Sequence, residues 1–186
     1  MPFDTYGSPA FSLDDCKIAT WLATGSYDTE VDVMAVRVLG GDPQFTEAML
    51  DGDDYTVASN SRMRRMSVEL EFGDVSLTAL EVLLGVTIAT DGATYERFQL
   101  GTEERAINAP YIGIAGRALE DGGDGDVQFW WPKAKVASIA GLRMEQDNYV
   151  IPRATLTAVL DGDRGIFSII KNATAQAVTI PPANTP

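Results

Sequence analysis

The sequence predicts a mainly β fold, a β-sandwich or barrel with one short α-helix beside it. Three observations carry this. Short apolar segments with a period-two pattern recur along most of the chain. Clusters of Gly and Asp, such as DGDD, DGGDGD and DGDRG, punctuate them as turns. Helical spacing occurs in one stretch only, so the crossover helices that a βαβ fold requires are missing.

Taken in order, CKIATWL (16–22) and VDVMAVRVL (31–39) read as a first antiparallel hairpin around a Thr24-Gly25-Ser26 turn. Residues 40–61, GGDPQFTEAMLDGDDYTVASNS, contain Gly-Gly, Asp-Pro and the DGDD cluster, and read as a long loop in which Asp42 before Pro43 caps a short helical turn. Loops of this length are uncommon in compact domains unless they have a task. MSVELEF (66–72) alternates strictly, with Met66, Val68, Leu70 and Phe72 on one side and Ser67, Glu69 and Glu71 on the other. In 76–85 the period changes: Leu77, Leu80 and Leu84 share a helical face, Ser76 is a suitable N-cap, and Gly85 ends the helix in a left-handed conformation. Its leucines are placed to plug the open end of a sheet.

The pattern then returns to β in TYERFQL (94–100), YIGIAGRAL (111–119), VQFWW (127–131), PRATLTAVL (152–160), GIFSIIK (165–171) and AQAVTI (175–180). Gly113 and Gly116 mark a bulge or a close backbone approach, because no phosphate-loop pattern surrounds them. Residues 16–180 form one domain, preceded by an N-terminal arm (1–15) and followed by a proline-rich extension (181–186).

Composition narrows the function. No histidine occurs in the 186 residues, which removes the usual base of nucleophilic triads and a common ligand of catalytic zinc. The chain reads as a non-enzyme that needs no cofactor. The single cysteine, Cys16, cannot form an internal disulfide and reads as a small core residue. The first residues lack the basic start and apolar stretch of a signal peptide, and no membrane-length apolar run follows, which points to a soluble protein made in the cytoplasm. A net charge of −13 makes nucleic-acid phosphates poor partners. The acidity is lopsided: residues 1–61 hold eleven acids against two bases.

The Asp-Gly clusters miss the spacing of known calcium loops and are read as turns. Arg62, Arg64 and Arg65 form a tight basic cluster, expected to ion-pair with the acidic first third of the same chain or a neighbour. In VQFWWPKAKVA (127–137), alternation puts Phe129 and Trp131 on one face and Trp130 on the other; keeping Lys133 and Lys135 off the apolar face requires a bulge or break at Pro132. Trp130 then meets a second surface, in a neighbouring subunit or in the chain itself, or with Trp131 forms a platform for sugars.

The runs YTVASNSRMRRMSVELEFGDVSLTALEVLLG, PYIGIAGRALEDGGDGDVQFWWPKAKV and IPRATLTAVLDGDRGIFSIIKNATA, in that order after an acidic hairpin and a long loop, resemble the tail tube (major tail) proteins of long-tailed bacteriophages, relatives of the type VI secretion tube. The likeness covers residues 16–180. It implies a β-sandwich or split barrel with a flanking helix, assembled as hexameric rings that stack into a hollow virion tail tube, through which DNA passes without specific binding. It further implies contacts with itself and with tail terminator, tail tip and tape-measure proteins, and none with a membrane. A six-fold ring of chains at −13 each carries about −78, and acids lining the lumen would repel phosphates within a Debye length of about 8 Å. Under this resemblance the assembly contacts fall to Asp42, Pro43, Phe45, Met49, Leu50 and Tyr55 of the long loop, to Arg62, Arg64 and Arg65, and to Trp130. Glu69 and Glu71, on the polar face of the cleanest strand, are the expected lumen acids. Other virion proteins, such as decoration or tail-completion proteins, and a carbohydrate-binding or carboxylate-dependent glycosidase domain are the alternatives.

Overall fold

The computed structural model describes residues 10–22, 25–51, 56–91, 95–100, 108–122, 124–147 and 149–180. The strands are β1 (Ala10–Thr20), β2 (Val31–Asp32), β3 (Val36–Asp51), β4 (Thr56–Phe72), β5 (Ala89–Asp91), β6 (Tyr95–Arg97), β7 (Tyr111–Glu120), β8 (Asp126–Ala140), β9 (Arg153–Val159) and β10 (Ser168–Asn172), with helix α1 (Leu77–Leu84) between β4 and β5. Eight of them form one antiparallel sheet in the order β2-β1-β7-β8-β9-β4-β3, with β10 also paired to β8. β5 and β6 pair separately. The two end regions of the large sheet, β1 and β3, approach without pairing. The sheet therefore curls around its core without closing into a barrel, and the fold is mainly β with one short helix, as the sequence predicts.

The sheet splits at β8. One edge of β8 pairs with β7, while the other is shared by β10 over residues 126–130 and β9 over residues 134–140. Pro132 falls in the gap between these two partners, where its missing N–H leaves no ladder bond unmade. On the β7 side the register slips there, since Ile112 faces Ala134 but Ile114 faces Trp131. The bulge expected at Pro132 is present, in an interior strand. It keeps Trp131 and Ala134 in the core and turns Lys133 and Lys135 outward, on a strand that runs further than residues 127–131 suggested.

Met66, Val68, Leu70 and Phe72 are all buried, as their alternation requires, together with Ile18, Ile112, Ile114, Trp131 and Leu156. Helix α1 has the expected caps: Ser76 Oγ accepts from the Ala79 N–H at 3.2 Å, and Gly85 adopts φ +67° while its N–H donates to Glu81. A side chain at Gly85 would also collide with the Pro110 ring. The buried stripe is centred on Ala79, Leu80 and Leu83, with Leu77 and Leu84 at its margins, and the helix packs on β1, β2 and β8.

Three expectations are corrected. The strand expected over 31–39 is broken by a turn at 33–35, where Ala35 has φ +52°; β2 stays with β1, and β3 leaves to pair with β4. Residues 175–180 join no ladder, although Val178 and Ile180 are buried. Most consequentially, the stretch read as a long loop with a capped turn at Asp42 and Pro43 is strand: Asp42 pairs with Ser67 and Pro43 with Met66 in a long β3–β4 hairpin. Pro43 is tolerated because β3 ends the sheet order, which leaves one edge without a partner.

Candidate functional site

The β3–β4 hairpin outruns the sheet that supports it. β9 pairs with β4 only from Arg65 to Glu71, whereas β3 and β4 continue as partners to Asp51 and Thr56. From Phe45 to Asp51 the two strands form a free ribbon roughly 20 Å long. Its described side chains, residues 42–49 and 59–65, are all exposed.

The ribbon's faces follow from register. Leu39 and Gly41 sit opposite Leu70 and Val68 on the core side, and alternation carries that side outward through Pro43, Phe45, Glu47 and Met49. Met63 lies directly across from Phe45. Phe45 is 62% exposed and Met49 60%, so the apolar face of the sheet runs past the end of the body with nothing over it in the single chain. Arg64 is the extra residue of a bulge, where pairing steps from Gln44–Arg65 to Phe45–Met63. Arg65 Nε donates to Gln44 Oε1 at 2.6 Å. Among the described residues none of Arg62, Arg64 and Arg65 is ion-paired. Leu50 lies in β3, but its side chain is outside the described set, as is all of Tyr55.

Glu69 and Glu71 occupy the non-core face of β4, but not as bare acids. Glu71 is buried: Arg153 Nε donates to its Oε2 at 2.9 Å, and Arg37 Nε stands 3.8 Å from its Oε1. Glu69 Oε1 lies 3.1 Å from Arg153 Nε. Hydrogen bonding to Glu71, then the charges of Glu71 and Glu69, hold the Arg153 pKa above its usual value. Two carboxylates and two guanidiniums leave this patch without net charge.

Trp130 is likewise covered by its own chain. It is 6% exposed and packs with Ala19, Ala115, Val178 and Ile180, with Tyr27 alongside. Residues 175–180 lie over it as a strap. The strap is held by side chains: the Gln176 N–H donates to Asp126 Oδ2 at 2.8 Å, the Gln176 carbonyl accepts from Arg117 and Gln128, and the Ile180 N–H donates to Glu30 Oε1 at 2.7 Å. Trp130 is thus corrected from an intersubunit contact to an intrachain one. Trp131 is 1% exposed, so neither ring offers a face for a sugar to stack on.

The Asp-Gly clusters also serve the fold. Asp126 is fully buried and accepts from Gln128, Asn172 and Gln176. Asp161 pairs with the buried Arg164, which also donates to the Gly25 carbonyl and to the Tyr27 hydroxyl. Tyr27 in turn donates to the Pro132 carbonyl at 2.8 Å. Burial raises the Tyr27 pKa to about 12, against the opposing influence of Arg164. Burial likewise pushes the Cys16 thiol up, with Asp15 and Asp32 adding to the effect. Among the described residues, no group of three or more Cys, Asp or Glu is placed to hold a metal ion, and no helix is long and apolar enough to cross a membrane.

Lys133 and Lys135 stand on the outer face beside Trp21 and Tyr111, whose rings meet edge to face at 6.2 Å. Lys133 Nζ lies 3.7 Å from the Trp21 ring centre and 4.8 Å from that of Tyr111. Lys135 Nζ lies 5.4 Å from the Tyr111 ring and donates to Asn108 Oδ1 at 2.7 Å. The lysines were visible as a pair, but only the register of β1, β7 and β8 brings Trp21 and Tyr111 to them.

No protein-family model matches the chain, and a search of curated proteins finds no match.

Proposed function

We propose that this chain is a structural subunit of a phage tail tube, which assembles as rings, hexameric by the resemblance, that stack into a hollow conduit for the genome. The observation that carries the reading is the β3–β4 ribbon. An isolated two-stranded ribbon is marginally stable in water, and this one exposes Phe45, Met49 and Met63. Ordering and covering it requires another surface. β3 adds a free edge, which a neighbour's strand can complete. A heterologous contact of this kind closes into a ring or repeats along an axis, according to its geometry, and a tube needs one of each. Asp42, Pro43, Phe45, Met49 and Leu50 remain the proposed contact set on β3, with Arg62, Arg64 and Arg65 on β4; Tyr55 stays in the set by its place in the sequence alone.

In this reading the chain's partners are its own copies and, at the ends of the polymer, terminator, tip and tape-measure proteins; its place is the virion. The net charge of −13 keeps DNA from adhering to the conduit. Glu69, partly exposed, remains a proposed lumen acid, while Glu71 acts by holding Arg153 and Arg37. Sedimentation and negative-stain electron microscopy of the purified protein test the proposal. Hollow tubes of uniform diameter are expected, and a monomer at every concentration would refute it. A decoration or completion protein would use the same ribbon to dock once on a different protein, giving no homopolymer.

A further inference from the structure

We infer that a niche at the base of the β8–β9 connection receives Phe45 from the β3–β4 ribbon of a second copy of this chain, an inference that rests on the self-assembly reading above. The niche is an open cavity of about 300 Å³ lined by Ala140, Gly141, Ile151, Glu71 and Arg153. Gly141 gives it one wall: at φ +79° it lies so close to the Ile151 carbonyl that a Cβ would collide with it. Arg153 supplies the recognition. Its Nε and Nη2 both donate to Glu71 Oε2, Glu69 lies 3.1 Å from its Nε, and its side chain is still 54% exposed. A guanidinium held in place beside apolar walls suits an aromatic ring, which stacks on its face and covers the walls at once.

The connection that overhangs the niche is itself apolar and uncovered. Met144 is 91% exposed and Tyr149 85%, with Leu142 also exposed, which marks an interaction surface. The ribbon carries the matching groups. Phe45 is the one aromatic residue among its described side chains, and Met49 and Met63 share its face. Charge agrees with this pairing. Arg65 and Arg62 occupy the cross-strand pairs on either side of Phe45–Met63. At the receiving end Arg143 is paired with Glu145 at 2.9 Å, while the exposed Asp74, just past β4, and Asp147 have no ion pair among the described residues. Basic residues around the ring thus meet acids around the niche, which orients the encounter.

Register separates the two surfaces along the same strands. At one end Ala140, Arg153, Glu71 and Val38 form a row across β8, β9, β4 and β3, and the β8–β9 connection lies beyond it. At the other end the last row supported by β9, Val159 with Arg65 and Gln44, gives way to the ribbon at Phe45. Val38 and Phe45 are roughly 20 Å apart along β3. Phe45 therefore cannot fill the niche of its own chain. Inserted into the niche of the next copy, it makes a head-to-tail contact, which propagates where a two-fold pairing would stop at a dimer.

The test combines photo-cross-linking with substitution. Full-length protein carrying the photoreactive aromatic benzoylphenylalanine in place of Phe45 is mixed with isotope-labelled wild type and irradiated, and the joined peptides are mapped. Links to residues 140–153 of the labelled copy support the contact. In parallel, wild type, Phe45→Ala, Phe45→Tyr and Ala140→Phe are compared by sedimentation and electron microscopy, with circular dichroism confirming the fold. Phe45→Ala should raise the concentration needed for polymerisation by roughly tenfold or more, the loss expected for a buried ring. Phe45→Tyr, which keeps a ring, should stay near wild type, and Ala140→Phe, which fills the niche from within, should match Phe45→Ala. Should Ala140→Phe fail to fold, the position of the links decides. Links that map elsewhere overturn the contact, as do tubes that form equally well from Phe45→Ala, and the tubes themselves leave the tube reading intact. Links to residues 140–153 in a protein that forms no tube support the contact and refute the tube. A monomer without links refutes both.

Discussion

Replacing residues 44–65 by Asn-Gly removes the ribbon and leaves Pro43 and Met66 as the cross-strand pair flanking a two-residue turn, the geometry such turns favour. The structure sets the expected cost to folding. All described side chains in the excised segment are exposed, the body is held by pairs from Met66 onward, and the side-chain hydrogen bonds lost among the described residues are Gln44–Arg65 and a long Ser59–Glu47 contact at 3.4 Å. An exposed hydrogen bond of this kind contributes about 0.5–1.5 kcal/mol. The free ribbon is itself marginal. The net change in stability is therefore about 1 kcal/mol or less, or a Tm shift within about 2–4 °C for a domain of this size. Thermal unfolding by circular dichroism measures this, and sedimentation of the same sample measures assembly. The expected pair of results is a near-native Tm with no polymer. A loss above about 3 kcal/mol would show that the ribbon supports the core, and a folded variant that still polymerises would remove the ribbon from the assembly account.

Other outcomes follow from the same geometry. Val178→Ala with Ile180→Ala should cost about 3–6 kcal/mol by urea unfolding, because both side chains are buried over Trp130; a red shift of native tryptophan fluorescence should accompany it, and an unshifted spectrum would mean that the strap does not shield the ring. Glu71→Gln should lower Tm clearly more than Glu69→Gln, since Glu71 is the buried partner of Arg153 and Arg37; equal effects would contradict the ion-pair geometry. Tyr27 has a folded pKa above its ordinary value of 10, so its contribution to stability is intact below that pH and is lost as the pH climbs toward about 12. Tyr27→Phe should be less stable than wild type at neutral pH, through loss of its bond to Pro132, and should show a smaller alkaline decline. A parallel decline in both proteins would count against the burial of the hydroxyl.

Much of the body was legible because its elements have a core to face. Met66 to Phe72 alternate because one side of β4 is buried, and residues 76–85 carry both caps of α1 within the sequence. Even the bulge at Pro132 could be deduced, since Lys133 and Lys135 cannot share a face with Trp131. The ribbon was not legible for the complementary reason. Beyond Pro43 no body strand packs on it, so no burial imposes alternation, and Gly, Pro and Asp are tolerated where an interior strand would reject them. Local pattern alone then reads as loop. The strap at 175–180 erred the other way: AQAVTI alternates like a strand, but its buried Val178 and Ile180 are secured by Asp126, Arg117, Gln128 and Glu30 in place of a ladder. The fates of Trp130 and Glu71 were hidden as well, because their covers, Ile180 and Arg153, are distant in sequence and arrive only with the tertiary fold.

The central claim is that the projecting ribbon makes this chain a polymer-forming subunit, and a cryo-electron microscopy reconstruction of the protein concentrated alone tests it most directly. The account predicts a hollow helical or stacked-ring assembly in which Phe45, Met49 and Met63 are buried against the adjacent copy. Isolated particles, or a polymer whose ribbons stand free in solvent, would contradict it.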